Sequence, residues 1–272
     1  MKVHLLIIDP QNDFCDPKGA LYVQGAEKDM QRLSKMIIRV NKDLEDIHTT
    51  LDSHHLVDIA HPIFTIDSKG KHPSPFTIIT NADVKAGVWR AYNPSYQQKF
   101  EEYVDALERN GRYPLCVWPP HCIIGSWGYG IYPELFNALL AWEERNFAMV
   151  DKVTKGSNFL TEHYSAVQAD VPDPNDPDTM LNQKLIQTLA QADLVALAGE
   201  ALSHCVANTV IDIADNFGEE NIKKLVLLRD ATSPVPNPPG PGAPNFVQMG
   251  EDFIIKMKKR GMKVSTTTEF MK

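Results

Sequence analysis

One cysteine in this sequence lies where the chain turns from a predicted strand into a predicted helix, a setting that can make a thiol reactive. Cys205 follows the apolar run at 194–201 and opens a stretch with helical spacing. Backbone N–H groups and the helix dipole at such a turn favour the thiolate and can bind the oxyanion of a tetrahedral intermediate. The spacing alone leaves a second possibility open, namely a buried cysteine that packs as a small hydrophobic residue.

A catalytic thiol needs a base, and the neighbouring histidine is a poor candidate. Adjacent helical residues point about 100° apart, so His204 does not easily face the Cys205 thiol. Asp9 follows the apolar strand candidate at 3–8, and Lys155 follows another at 148–153. In an open parallel sheet, ligands bind outside the carboxyl ends of the strands. We therefore expect Asp9 as the base and Lys155 as the charge stabiliser.

A second group of residues has the types and spacing of a metal site. Asp52 and His54 are two residues apart on an extended segment, so their side chains share a face, and His121 is held in the stiff sequence WPPHC. A carboxylate and two imidazoles suit zinc and leave positions open for water or substrate, although iron or manganese also fits these ligand types. An alternative zinc set of Cys116, His121 and Cys122 lacks the usual paired spacing. The remaining possibility is that Asp52, His54 and His121 bind no metal and are solvated loop residues.

The elements that would position these residues alternate between strand and helix. Further strand candidates lie at 47–51, 113–118, 225–230 and 262–265, and helical patterns lie at 26–41, 133–146 and 246–259. This alternation predicts an α/β fold with a parallel sheet covered by helices on both faces, in one domain spanning 1–272. Long loops are expected near 62–110, 170–180 and 233–245. His4 and His48 fall inside strand candidates and are expected to be packed there.

Composition limits the partners. The chain has 272 residues with 27 Lys+Arg and 35 Asp+Glu, so its formal charge is 27 − 35 = −8. Because its net charge is negative, neither nucleic acid nor an anionic membrane is expected as its main partner. Four scattered cysteines and an apolar N-terminal run that stops at Asp9 favour a reduced, cytoplasmic setting.

Five motifs in order resemble one family. IIDPQNDFCDPKGAL, DSHH, WPPHCIIGSWG, TKGSNFLTEHYSA and GEALSHCVANTVID extend from residue 7 to about residue 214. They resemble the nicotinamidase (pyrazinamidase) branch of the isochorismatase-like cysteine hydrolases. The combination of D-x-H with W-P-P-H-C is what indicates the nicotinamidases within that superfamily.

The resemblance implies a doubly wound, six-stranded parallel sheet with helices on both faces, and a role for each matching residue. The implied catalytic residues are Asp9, Lys155 and Cys205. The N–H groups of Ala201 and Cys205 would form the oxyanion hole, at an unusual cis peptide between Glu200 and Ala201. The implied metal ligands are Asp52, His54 and His121, and the aromatic residues that would hold the substrate ring are Phe14, Trp118 and Tyr164.

The implied activity is hydrolysis of nicotinamide to nicotinate and ammonia through a Cys205 thioester, in NAD salvage, by a homo-oligomer holding one divalent ion. Some residues depart from the family pattern: Ser53 replaces a bulky residue, Leu202-Ser203 replaces Thr-Asp, and His61 lies one position off its usual spacing. These changes surround the pocket, so they bear on the substrate. The alternatives are a related hydrolase acting on another small amide and a non-catalytic metabolite-binding protein.

Overall fold

The centre of the molecule is a parallel sheet of six strands in a computed structural model that describes residues 1–111, 113–238 and 244–272. Along the sheet the strands are Lys263–Ser265 (β10), Leu225–Leu228 (β9), Leu194–Gly199 (β8), Val3–Ile8 (β1), Asp46–Asp52 (β2) and Asp151–Lys155 (β7). Strand order reverses beside β1, which lies between β8 and β2. The expected α/β fold with a six-stranded parallel sheet is confirmed.

The central strands are apolar because helices cover both faces of the sheet. All six residues of β1 are buried, and β1 pairs with β8 from Val3↔Leu194 to Ile8↔Gly199. On its other side β1 pairs with β2, with His4 opposite Asp46 and Leu6 opposite His48. Strands buried on both faces are expected to be continuous apolar runs. Asp9 follows β1 directly, where this buried run ends.

Helices of very different length connect the strands. The helices of the described residues are Asn12–Cys15 (α1), Ala26–Arg39 (α2), Asn81–Lys85 (α3), Gln97–Asn110 (α4), Pro133–Asn146 (α5), Gln183–Ala190 (α6), Ala207–Phe217 (α7) and Phe246–Arg260 (α8). α5 begins at Pro133 as predicted, because proline is tolerated in the first turn, where its missing N–H has no partner to lose. A single turn of π-helix, Leu202–Val206, joins β8 to α7.

Two elements expected from the sequence differ in the structure: the strand at 113–118 and the long loop near 62–110. The strand expected at 113–118 is only Leu115–Cys116 (β6), which pairs antiparallel with Ile78–Ile79 (β4) outside the main sheet. Its backbone is engaged elsewhere, since the Trp118 N–H donates to the Ala60 carbonyl. The sixth strand of the sheet is instead β10, at the edge next to β9.

The stretch expected to be a long loop near 62–110 contains regular structure. It holds α3, α4, β4 and a small antiparallel pair, Thr65–Asp67 (β3) with Trp89–Ala91 (β5). Phe100, Tyr103, Val104 and Leu107 form the buried face of α4, an i, i+3, i+4, i+7 pattern. The 170–180 stretch is irregular apart from one 3₁₀ turn, Pro177–Thr179. Of the proline-rich stretch at 233–245, residues 239–243 lie outside the described residues.

No helix of the described residues is long and apolar enough to cross a membrane. The four cysteines are all free and buried.

Candidate active site

Four strands deliver one polar residue each to the same edge of the sheet. Asp9 follows β1, Asp52 ends β2, Lys155 ends β7, and Cys205 lies in the helical turn after β8. All four side chains are buried, with Asp9 fully inaccessible to solvent. The structure therefore brings together the three residues predicted to be catalytic and one of the predicted metal ligands.

Lys155 is the centre of this arrangement. Its Nζ lies 2.9 Å from Asp9 Oδ2 and 2.9 Å from Asp52 Oδ1. The same ammonium donates to the His163 carbonyl at 2.8 Å and lies 3.7 Å from Cys205 Sγ. Although burial opposes the charge, the two carboxylates raise the pKa of Lys155 well above its usual value. The lysine is therefore charged and joins the predicted catalytic residues to the predicted metal ligands.

Asp9 is oriented by contacts on both sides. The Thr50 hydroxyl donates to its Oδ1, its own N–H donates to Thr50 Oγ1 at 3.0 Å, and Lys155 faces Oδ2. Burial raises the pKa of Asp9, and the charge of Lys155 opposes that rise. A carboxylate with a raised pKa holds a proton more readily than an exposed one, which suits a group that must accept a proton and release it again.

Cys205 is a neutral thiol at rest. Burial is the largest influence on its pKa and raises it well above the usual value, while the charge of Lys155 lowers it and the carboxylates of Asp9 and Asp52 raise it further. This differs from the thiolate expected from the helix dipole and the lysine, because desolvation of the buried sulfur outweighs both. A reaction at this thiol would require its proton to pass to a neighbouring group, and Asp9 is the carboxylate beside it.

The predicted metal ligands converge on a single point. Asp52 Oδ2 lies 3.1 Å from His54 Nε2 and 3.3 Å from His121 Nε2, and the three ligand atoms lie within 4.8 Å of one another. All three residues are buried. The described residues do not form a comparable group from Cys116, His121 and Cys122, the alternative zinc set.

Neighbouring groups turn the ligand atoms toward this point. His54 Nδ1 contacts Asp58 Oδ2 at 2.9 Å, and His121 Nδ1 contacts the Pro119 carbonyl at 2.9 Å, so both Nε2 atoms face inward. An oxygen acceptor at the other ring nitrogen is typical of metal-binding histidines. The ring of His61 lies 5.2 Å from that of His54, and its buried Nε2 has no hydrogen-bond partner among the described residues. The donor set therefore fits a divalent ion.

The three aromatic residues predicted to hold a substrate ring line one pocket with Cys205. Phe14, Trp118 and Tyr164 form its walls, and the Trp118 Nε1–H donates to the Tyr164 hydroxyl at 2.9 Å. The Phe14 ring meets the His121 ring edge-on, with 5.4 Å between centroids. Asp52 and His121 also line this pocket, so a ring bound between the aromatic side chains lies close to both the sulfur and the metal-ligand set.

Ala201 and His204 lie next to Cys205. The peptide between Glu200 and Ala201 is cis, and Ala201 lines the pocket. His204 is not a base for the thiol: its Nδ1 is paired with the Ser203 hydroxyl at 2.9 Å, and burial lowers its pKa to about 3. It lies among aromatic rings, 4.6 Å from that of Phe246.

Sequence reasoning missed several residues that shape the site. Glu162 lines the pocket with its Oε1 3.8 Å from His54 Nε2, and burial raises its pKa to about 8. The Gln11 side chain holds the Asp52 backbone with two hydrogen bonds of 2.7 Å. Its Oε1 accepts from the Asp52 N–H, and its Nε2 donates to the Asp52 carbonyl. Their only sequence signal was membership of a motif whose other residues were assigned roles.

The described start of the proline-rich stretch packs against the nucleophile turn. The Leu202 N–H donates to the Ser233 carbonyl at 2.9 Å, and the Val235 N–H donates to the Ser203 hydroxyl at 3.1 Å. Val235 and Leu21 complete the pocket wall. This stretch therefore covers one side of the pocket.

Comparisons with known proteins agree with this geometry. No protein-family model matches the chain. A nicotinamidase of Saccharomyces cerevisiae is 28% identical over 237 residues, which cover 86% of this chain and 89% of the relative. The structure of the yeast nicotinamidase Pnc1p superposes with a TM-score of 0.64 at 19% identity, covering 96% of this chain and 98% of that one.

A second solved structure, the pyrazinamidase of Pyrococcus horikoshii in complex with zinc, has a TM-score of 0.56 at 18% identity and covers 98% of this chain and 99% of its own. At such identities the superpositions establish the fold, while the yeast sequence match adds a relationship along most of the chain. In sequence and in fold, the chain is therefore similar to the nicotinamidase branch of the isochorismatase-like cysteine hydrolases, which confirms the resemblance that its motifs indicate.

Proposed function

We propose that this protein hydrolyses nicotinamide to nicotinate and ammonia through a thioester at Cys205. The observation that carries the proposal is the contact of Lys155 with both Asp9 and Cys205 inside a pocket walled by aromatic side chains. That the chain is a hydrolase acting on an amide C–N bond follows from its nicotinamidase relatives. The choice of amide and the chemical path are the proposed part.

The first half of the reaction forms the thioester. Asp9 takes the proton of the Cys205 thiol, and the charge of Lys155 stabilises the sulfur as it attacks the amide carbonyl. The N–H groups of Ala201 and Cys205 bind the resulting oxyanion. The C–N bond then breaks, and Asp9 returns its proton to the nitrogen, which leaves as ammonia.

The second half releases the acid. Asp9, ionised again, accepts a proton from a water molecule that attacks the thioester carbonyl. The C–S bond breaks, the proton that Asp9 took from water ends on the Cys205 sulfur, and nicotinic acid leaves and ionises to nicotinate, releasing its own proton to solvent. Because Asp9 carries the proton in both halves, its buried position with a raised pKa suits the whole cycle.

Asp52, His54 and His121 would hold one divalent ion, for which we propose zinc, with iron or manganese as alternatives. Such an ion supplies a Lewis-acid site for the ring nitrogen of the substrate. Phe14 and Trp118 hold the ring between them, and their packing keeps bulk water away from Cys205.

A free catalytic thiol needs a reducing compartment, which supports a cytoplasmic location, and the product nicotinate supports a role in NAD salvage. The proposed partner is thus a small amide, with further copies of the chain as subunits. Nucleic acid and membranes are not proposed as partners, in keeping with the charge of −8.

A panel of primary amides tests the substrate. We expect ammonia release to be fastest from nicotinamide and pyrazinamide, whose ring nitrogens can face the metal-ligand set, and at least about tenfold slower from benzamide, which lacks one. Faster turnover of an aliphatic amide would favour the related-hydrolase alternative. Tight binding of nicotinamide without any ammonia would favour a metabolite-binding protein.

A further inference from the structure

A second cluster of imidazole and carboxylate groups lies at the opposite edge of the sheet from the active site. His4 near the start of β1, Asp46 and His48 at the start of β2, and Asp151 at the start of β7 form one row across three adjacent strands. The strand register sets this row, since His4 pairs with Asp46 and His48 pairs with Asp151. Asp46 and His48, two residues apart on one strand, point to the same face.

The ring nitrogens of the two histidines face each other. His48 Nε2 lies 3.1 Å from His4 Nδ1 and 3.8 Å from Asp46 Oδ2. One ligand atom from each of the three residues lies within 4.8 Å of the others. Ligand atoms around a tetrahedral zinc ion with bonds of 2.0–2.1 Å are about 3.3 Å apart. The cluster therefore has nearly the spacing that an ion requires.

Asp151 sets the orientation of His48. Its Oδ2 lies 3.0 Å from His48 Nδ1, and a carboxylate in that position accepts the Nδ1–H. The lone pair of His48 is then on Nε2, which points at His4 and Asp46. A carboxylate behind an imidazole is the arrangement that orients metal-binding histidines and raises their basicity. His54 and Asp58 at the active site show the same pairing.

We propose that His4 Nδ1, His48 Nε2 and Asp46 Oδ2 form a second divalent-metal site, which takes zinc or an ion of similar ligand preference. Water completes its coordination. The two imidazoles are buried, whereas the Asp46 side chain is 36% exposed and that of Asp151 43% exposed, so an ion enters from the carboxylate side.

The two facing ring nitrogens can hold either a hydrogen bond or an ion. These nitrogens, His4 Nδ1 and His48 Nε2, are 3.1 Å apart, and without an ion one of them donates a hydrogen bond to the other. An ion binds when the His4 proton is on its other nitrogen, Nε2, because both facing nitrogens then present lone pairs to the same point. The ion thus replaces the hydrogen bond between the rings.

The site is distinct from the catalytic centre. His48 and Asp52 are four residues apart on β2, roughly 13 Å along the strand. An ion at the second site joins β1 to β2 directly and, through Asp151, fixes the edge strand β7. Since β7 carries Lys155 at its other end, the ion stabilises the part of the sheet on which the active site is built, without touching substrate.

Zinc stoichiometry separates the two sites. Chains stripped with a chelator are dialysed against Zn²⁺ and assayed by elemental analysis, in the wild type, in His48→Gln, in His121→Gln and in the double variant. We expect two, one, one and no ions per chain. We also expect Zn²⁺ to raise the melting temperature of His121→Gln but not that of the double variant. His48→Gln should hydrolyse nicotinamide within about twofold of the wild type.

The exposed His72 provides the matched control, and His72→Gln should bind as much zinc as the wild type. If His48→Gln does not fold, Asp46→Asn tests the same ligand set at a partly exposed position. The proposal is overturned if His48→Gln, or Asp46→Asn in its place, retains every ion that the wild type binds. A failure of the catalytic metal site alone would appear differently, as one ion in the wild type that His48→Gln loses and His121→Gln keeps.

Discussion

Lys155 shows how one side chain can serve two sites. It faces Asp9, Asp52 and the Cys205 sulfur, and so shares its charge between the proposed base, a proposed metal ligand and the proposed nucleophile. A buried ammonium is stable only when it is paired and hydrogen-bonded, and two carboxylates and a carbonyl meet that requirement here. Replacing this residue should therefore alter the chemistry of the sulfur.

Removing the lysine charge should make Cys205 less acidic. Because the ammonium lowers the thiol pKa, Lys155→Met raises it, and alkylation of Cys205 by iodoacetamide should shift to higher pH. The measurement is alkylation rate against pH, followed on the peptide that contains Cys205. Lys152→Met, an exposed position on the same strand, is the control and should leave the profile unchanged. Equal profiles for Lys155→Met and the wild type would contradict the assignment.

At the residue scale the sequence was most informative where chemistry restricts residue type. Asp9, Lys155 and Cys205, together with Asp52, His54 and His121, were all identifiable, and the structure brings them together at one sheet edge. The residues that orient them were not, because a glutamine or threonine that holds a backbone carries no pattern of its own. His4 and His48 were correctly expected to be buried, yet their contact depends on strand register, which spacing along one strand does not reveal.

At the scale of elements, the passage from β8 into the nucleophile turn depends on close backbone contact. Gly199 has a φ of +113°, and a Cβ there would lie 2.0 Å from the Ile8 carbonyl oxygen of the adjacent strand. Any side chain at this position must separate β8 from β1. The turn that carries Cys205 begins three residues later, at Leu202.

Gly199→Ala should consequently destabilise the fold severely. We expect a loss of more than about 4 kcal/mol in the free energy of unfolding, since both backbone conformation and strand pairing oppose the methyl group. The matched control is Gly70→Ala, at an exposed position with φ +78° and no atom near the added Cβ, which should cost only about 1–2 kcal/mol. Urea unfolding measures both, and similar losses would show that the close approach is unimportant.

The helices and strands with a clear hydrophobic periodicity were the ones whose bounds the sequence predicted best. α5 matches its predicted bounds, and α8 extends one residue beyond them, to Arg260. The length of β6 was overestimated because an apolar run between prolines resembles a strand, although only two of its residues pair with β4. α3 and α4 were missed in a stretch expected to be a long loop, even though α4 carries an apolar stripe.

At the scale of the whole molecule, buried neutral histidines make stability depend on pH. The pKa of His204 is about 3 and that of His163 about 4, both lowered chiefly by burial, against an unfolded value near 6.5. Below pH 6.5 these histidines bind protons in the unfolded chain but not in the folded chain, so the stability that they contribute is complete above pH 6.5 and falls on acidification toward pH 4.

Each such histidine should lower the free energy of unfolding by about 2 kcal/mol between pH 7 and pH 5, whereas the raised pKa of Glu162 acts in the opposite direction, so the contribution is read from the difference between variant and wild type. His204→Gln should remove its contribution, whereas His72→Gln, at an exposed position, should leave the pH dependence unchanged. Chemical unfolding at the two pH values, with chelator present so that metal release does not contribute, measures the difference. A His204→Gln chain with the pH dependence of the wild type would contradict the burial argument.

The central claim is that the Cys205 thiol carries out amide hydrolysis in this fold. The most direct test is the rate of nicotinate and ammonia formation from nicotinamide by Cys205→Ala, compared with the wild type and with Cys116→Ala, a buried cysteine outside the pocket. We expect Cys205→Ala to lose essentially all turnover while Cys116→Ala keeps most of it. Retention of a tenth or more of the wild-type rate by Cys205→Ala would contradict the account.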